Sequence, residues 1–184
     1  MTDCSEFFFS VDVETAGPSP GEYALLSIGA CTLDTPPATF YLELRPTRTK
    51  ISAEALAVHG LDPHELATQG VPPEEAMQRF AEWVESHTPP GMRAVFVGFN
   101  APFDWMFVAD YFWRYLGRNP FGHSALDIKS LYLGMKGGCW SDTTYERVVK
   151  GMSGTDSLVH NALQDAIDQG QLFRLIYSLI QPNR

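Results

Sequence analysis

Residues Phe7 to Pro18 read FFFSVDVETAGP, an apolar segment that runs straight into two acids. The first half fits a buried core strand, rich in aromatic and β-branched residues. Side chains alternate across a strand. Phe7, Phe9, Val11 and Val13 therefore share one face, and Phe8, Ser10, Asp12 and Glu14 share the other. Asp12 and Glu14 stand side by side where the chain turns at Ala16–Gly17–Pro18. Like charges this close repel unless something neutralises them. A hard divalent cation, Mg²⁺ or Mn²⁺, suits carboxylate oxygens. Two solvated acids at a strand end are the plain alternative.

The remaining pattern predicts an α/β fold with a mixed sheet, folded as a single domain over 1–184. Strands are predicted at 6–13, 23–33, 39–45, 94–99 and 125–128. Ser52 opens a short helix that stops at Gly60, and a stronger helix follows Pro72 and Pro73. The segment APFDWMFVADYFWRYLG predicts a helix capped by Asn100 and ended by Gly117. Further helices are predicted at IKSLYLGM, near 142–151 and over about 161–180.

No apolar run is long enough for a membrane span. The N-terminal segment lacks the basic region of a signal peptide. Cys4, Cys31 and Cys139 show no CxxC spacing and are expected as reduced thiols in a cytoplasmic protein. The net charge of −9 gives no general attraction for a polyanion. Nucleic acid would have to be held locally or through bound cations.

Two further groups carry candidate chemistry. Asp104, in GFNAPFD, follows an apolar strand and lies in the first turns of a helix, where the dipole favours an acid. In open α/β sheets ligands gather at such strand-to-helix crossings. His160 and Asp165, in HNALQDA, would diverge on one regular helix. They converge only if His160 precedes the helix start, a place suited to proton transfer.

Taken in order, Asp12-x-Glu14, Asp104 and His160-x4-Asp165 resemble the DEDDh exonucleases of the DnaQ-like superfamily. The resemblance spans nearly the whole chain. DVETAG, GRNPFGH and HNALQDA look most like ribonuclease T, with the oligoribonucleases also similar. It implies a ribonuclease H-like fold: a central mixed β-sheet flanked by α-helices. It implies that Asp12, Glu14, Asp104 and Asp165 hold two divalent cations roughly 3.5–4 Å apart. His160 would serve as general base toward water, and a nucleoside 5′-monophosphate would leave from a 3′ end. Single-stranded DNA or RNA, 3′ overhangs or short oligonucleotides are the implied partners, and a homodimer the implied assembly.

Ala16, Gly17 and Phe103 are the expected substrate contacts: backbone beside the metals, and a ring for a terminal base. Ribonuclease T stacks bases on phenylalanines; the equivalent places here hold Pro18, Val58 and Ser124, which predicts a different substrate preference. Lys129, Lys136, Arg147 and Lys150 are candidate phosphate contacts or a solvated face. Asp127 reads as structural, Phe99 and Trp105 as core, and Asp110, Asp156 and Asp168 as surface charges. The competing functions are a silent module that binds oligonucleotide ends and a metal-dependent phosphatase or phosphodiesterase on small nucleotides.

Overall fold

The computed structural model describes residues 5–152 and 160–181. Five strands form one mixed sheet in the order β3-β2-β1-β4-β5. They are β1 (Glu6–Thr15), β2 (Leu25–Thr32), β3 (Thr39–Glu43), β4 (Arg93–Gly98) and β5 (Ala125–Asp127). The first three form an antiparallel meander; β4 and β5 join parallel to β1. Around the sheet lie α1 (Ala53–His59), α2 (Pro63–Gln69), α3 (Pro73–His87), α4 (Ala101–Leu116), α5 (Ile128–Lys136), α6 (Tyr145–Met152) and α7 (Ala162–Ile180). Among the described residues no helix is long and apolar enough to cross a membrane.

β1 is the central strand, and both of its faces are covered. Phe9, Val11 and Val13 are buried in one core with residues of α3 and α4, including Phe80, Val84, Phe107 and Phe112. On the opposite face Phe8 packs against a second core built with Leu172, Phe173 and Ile176 of α7. Each fully buried large side chain contributes about 1.5–3 kcal/mol. The alternation seen in the sequence is thus real, and it carries Asp12 and Glu14 on the α7 side.

Two glycines let α7 lie close on the sheet. A Cβ at Gly29 of β2 would come within 2.1 Å of the Ala162 backbone. A Cβ at Gly170 of α7 would meet Ser10 at 3.1 Å and Cys31 Sγ at 3.4 Å. The pairing of β1 with β4 runs from Glu6–Arg93 to Ser10–Val97. Beyond it, buried Gln169 of α7 bridges the strands: Nε2 donates to the Val11 carbonyl at 3.0 Å, and Oε1 accepts from Phe99 N at 2.5 Å.

Several local expectations need correction. The helix α2 was not anticipated in LDPHELATQG; Asp62 caps it by accepting from His64 N at 2.8 Å, with Pro63 at its first position. The helix expected near 142–151 divides into a 3-10 turn, Trp140–Thr143, and α6. Asn100 occupies the N-cap position of α4 but has φ of 65° and makes no side-chain cap bond. Asp127 replaces it: Oδ1 accepts from Ala101 N at 3.0 Å while Oδ2 caps α5 through Ser130 N at 2.9 Å. One carboxylate thus starts two helices, which agrees with a structural role. Asp156 and Cys4 lie outside the described residues.

Candidate active site

The candidate acids lie at the C-terminal edge of the parallel strands, where α/β folds bind ligands. The ladder between β1 and β2 holds register through Glu14–Ser27 and then shifts between Glu14 and Thr15. The irregularity ends the strand just beyond its second acid. Asp165 reaches the same place from the first turn of α7, whose cap is Asn161, accepting from Gln164 N at 3.1 Å. One ligand oxygen from each of Asp12, Glu14 and Asp165 falls within 4.8 Å of the others.

Asp104 joins this cluster from below. It is buried in the first turn of α4, and its Oδ1 accepts from Val13 N at 3.1 Å. The bond ties α4 to the strand between the two β1 acids. Asp104 does not share the 4.8 Å grouping, but its field acts on Asp12.

The carboxyls pay in ionisation for their confinement. Burial, then the charges of Asp104, Glu14 and Asp165, raises Asp12 well above the usual carboxylate range. Burial, then Asp165, lifts Glu14 to about 7. Asp104 rises to about 8, chiefly through burial, against the lowering effect of its backbone hydrogen bonds. Oxygen-only ligands whose mutual repulsion opposes ionisation are what a divalent cation relieves. The donor set fits Mg²⁺ or Mn²⁺.

His160 directly precedes Asn161, the cap of α7, and is exposed with φ of 56°. It thus stands before the helix start, as convergence with Asp165 requires. His59, which sequence reasoning passed over, lies close by. Its Nδ1 accepts from Leu61 N at 3.1 Å, so Nε2 carries the proton and donates to the Thr15 carbonyl at 3.2 Å. Burial and the nearby His160 charge lower its pKa. Tyr145 was also missed. Its ring meets Phe99 edge-on at 5.0 Å. Burial first, then the fields of Asp168, Asp165 and Asp12, lift its hydroxyl to about 12. The Tyr145–Phe99 contact and the bond of His59 to the Thr15 carbonyl join distant parts of the chain and leave no local signal.

The expected substrate contacts fare differently. Ala16 is buried, with N–H bonded to the Ala24 carbonyl at 2.8 Å and its own carbonyl bonded to Ser52 N at 2.7 Å. The space a Cβ at Gly17 would fill is taken by the Tyr23 ring, 2.3 Å away. The Tyr23 ring thus uses the room that the missing side chain of Gly17 leaves. Phe103 is half-buried and meets Phe107 at 5.6 Å, leaning on the core beside Asp104. Arg147 pairs with Asp142 and Asp110 with Arg114, each at 2.8 Å. Asp168 is half-buried and accepts from Gln164 Nε2 at 2.9 Å. Trp105 and Phe99 pack against the two cores.

The exonuclease family typified by ribonuclease T matches residues 9–173, a span holding every acid of the cluster. The chain belongs to this exonuclease family. It is 44% identical over 184 residues to the 3′-5′ DNA exonuclease Cap18 of Escherichia coli, covering 100% of this chain and 98% of that protein. It is 32% identical to ribonuclease T of Cronobacter sakazakii over 180 residues, covering 89% and 78% of the two chains. The nuclease domain of 3′hExo, a DEDDh family member solved with rAMP, superposes with a TM-score of 0.75 at 15% identity, over 95% of this chain and 92% of that one. This exonuclease is thus a hydrolase of the 3′–5′ type with a ribonuclease H-like fold, as its sequence pattern implies.

Proposed function

We propose that this exonuclease removes nucleoside 5′-monophosphates one at a time from the 3′ end of single-stranded DNA, including 3′ overhangs and short oligonucleotides. The observation that carries the reading is the convergence of Asp12, Glu14 and Asp165 within 4.8 Å at the end of the central strand. DNA is favoured over RNA because the relative with 44% identity is a DNA exonuclease.

In this reading Asp12, Glu14 and Asp165 hold two divalent cations, Mg²⁺ or Mn²⁺, and Asp104 completes the set. Bound cations supply the charge that activates water and stabilises the developing phosphate and leaving oxygen. Asp104 also fixes the strand end through Val13 N, so the β1 acids hold their spacing. His160 accepts the proton of the attacking water; its exposure and its place before the helix leave it free to reach a substrate phosphate. His59 braces the turn behind Glu14 by its bond to the Thr15 carbonyl. The net charge of −9 disfavours a long duplex, whose binding needs many phosphate contacts.

The free thiols of Cys31 and Cys139 agree with a cytoplasmic setting. Leu175 and Leu179, 43% and 58% exposed on the outer face of α7, agree with pairing of two copies. The two larger cores lie on opposite faces of one sheet, which agrees with a single domain.

Digestion of matched single-stranded, duplex and overhang substrates, in DNA and RNA, tests the proposal. A 3′-labelled single strand should lose its label at once as mononucleotide. Cutting of a circular single strand at a comparable rate would falsify the assignment.

A further inference from the structure

The edge that carries the acids continues into a second feature. Lys129, in the first turn of α5, sets Nζ 4.4 Å from the centroid of the Trp140 ring and 3.5 Å from Asn100 Oδ1. Three elements meet here: the start of α4, the start of α5 and the 3-10 turn. Trp140 remains 54% exposed with the Lys129 ammonium over its ring. Its free area offers a planar partner an aromatic face beside a cation. Among the described residues no carboxylate lies within ion-pair distance of Lys129, whereas Arg147 nearby is already paired with Asp142.

The position relative to the acids is fixed by topology. β5, which leads into Lys129, is two strands from β1, roughly 10 Å at ordinary strand spacing. Asn100 opens the helix that carries Asp104. The 3-10 turn runs on to Tyr145, whose ring abuts Phe99 beside the cluster. The start of α4, the start of α5 and the 3-10 turn therefore link the acidic cluster to Trp140.

We propose that Lys129 and Trp140 form a platform for single-stranded nucleic acid. Trp140 stacks an unpaired base upstream of the 3′-terminal nucleotide, and Lys129 contacts a neighbouring phosphate. The inference rests on the exonuclease reading and deepens it. A chain of net charge −9 cannot hold a strand by its overall field, so affinity must be concentrated in local features of this kind. A base inside a duplex offers no free face to the indole, so the platform selects single strands.

Hydrolysis of oligodeoxythymidylates of increasing length, from the dinucleotide upward, tests the platform. In the native protein kcat/KM should rise with length once the strand reaches Trp140. Trp140→Ala should shrink that gain by about 5- to 150-fold, the range expected for one stacked base. Trp140→Phe should restore much of it. The Trp140 carbonyl that accepts from Thr143 Oγ1 is backbone, so the turn survives the change. Lys129→Gln should lower the slope of log KM against log salt by about 0.7. Identical length dependence in Trp140→Ala and the native protein would overturn the platform. If the native protein releases no mononucleotide at any length, the exonuclease reading is what fails. The platform is then judged by anisotropy of a fluorescein-labelled oligothymidylate, where equal binding by Trp140→Ala overturns it.

Discussion

Gln169 Nε2 donates to the Val11 carbonyl at 3.0 Å, at the place where β1 and β4 cease to pair. Its Oε1 accepts from Phe99 N on the other side of the gap. One buried amide thus replaces the missing rung of the ladder and fixes α7, with Asp165 one turn earlier, against the sheet. Gln169→Leu leaves a buried carbonyl and a partly buried N–H unpaired. The expected loss is about 2–5 kcal/mol of stability. Urea unfolding should show a lower midpoint at an unchanged slope; an unchanged midpoint rejects the bridging role.

Asp104→Asn should abolish turnover and leave the fold intact. The amide oxygen keeps the bond from Val13 N, while one charge leaves the cluster. Because ionisation of Asp104 is opposed by burial, the metal-free variant should melt higher than the native protein at alkaline pH. Full activity in a folded Asp104→Asn protein would remove Asp104 from the chemistry.

The metal-free protein should lose stability as pH rises from near 4 to about 8. Glu14 moves from an ordinary value of 4.5 to about 7 on folding, and Asp104 from 3.8 to about 8. Through that window the folded chain holds protons that the unfolded chain has released. Stability therefore falls with rising pH and levels off above the folded values. Added Mg²⁺ should oppose the decline, and more strongly at higher pH, since cation and proton compete for the same oxygens. Melting curves with EDTA and with Mg²⁺ across this range give the measurement. Parallel curves at every pH would count against a cation site.

His160→Ala should cut the rate by about 10²- to 10⁴-fold, the usual contribution of general-base catalysis. Affinity for Mn²⁺, followed by calorimetry, should survive, because His160 is not among the proposed ligands. Loss of Mn²⁺ binding together with activity would make His160 a ligand instead.

Gly29→Ala should be among the most damaging single-methyl changes in the sheet. The added carbon would lie 2.1 Å from the Ala162 backbone, which cannot yield without moving the start of α7. Both a lower melting temperature and weaker Mn²⁺ binding are expected. Normal cation binding in a destabilised variant would show that α7 can shift without disturbing Asp165.

Much of this arrangement was legible from residues 7–14, because strand alternation assigns Asp12 and Glu14 to one face without any knowledge of the fold. His160 and Asp165 group through the resemblance of HNALQDA to ribonuclease T, because their spacing alone sends them to different faces of a helix; the structure does put His160 before α7. What stayed hidden depends on distant partners. Gln169 looks like any polar helix residue until Val11 and Phe99 are beside it. Gly17 gives no sign in the sequence that the Tyr23 ring packs against its bare Cα. Asn100 suggested a cap, but its left-handed backbone turns that task over to Asp127. The role of His59 depends on Thr15, 44 positions away, whose carbonyl its Nε2 meets.

The carboxylates arrive at the cluster from opposite ends of the sequence, Asp12 and Glu14 from the first strand and Asp165 from α7. During synthesis the first acids leave the ribosome long before the last. The acidic cluster is not assembled until α7 has emerged and docked on β1 and β2. In the proposed reading a nascent chain therefore lacks the full set of acids until translation has passed Asp165, and it stays inert toward single-stranded DNA until then. A chain truncated before Ala162, purified and supplied with Mn²⁺, should accordingly release no mononucleotide.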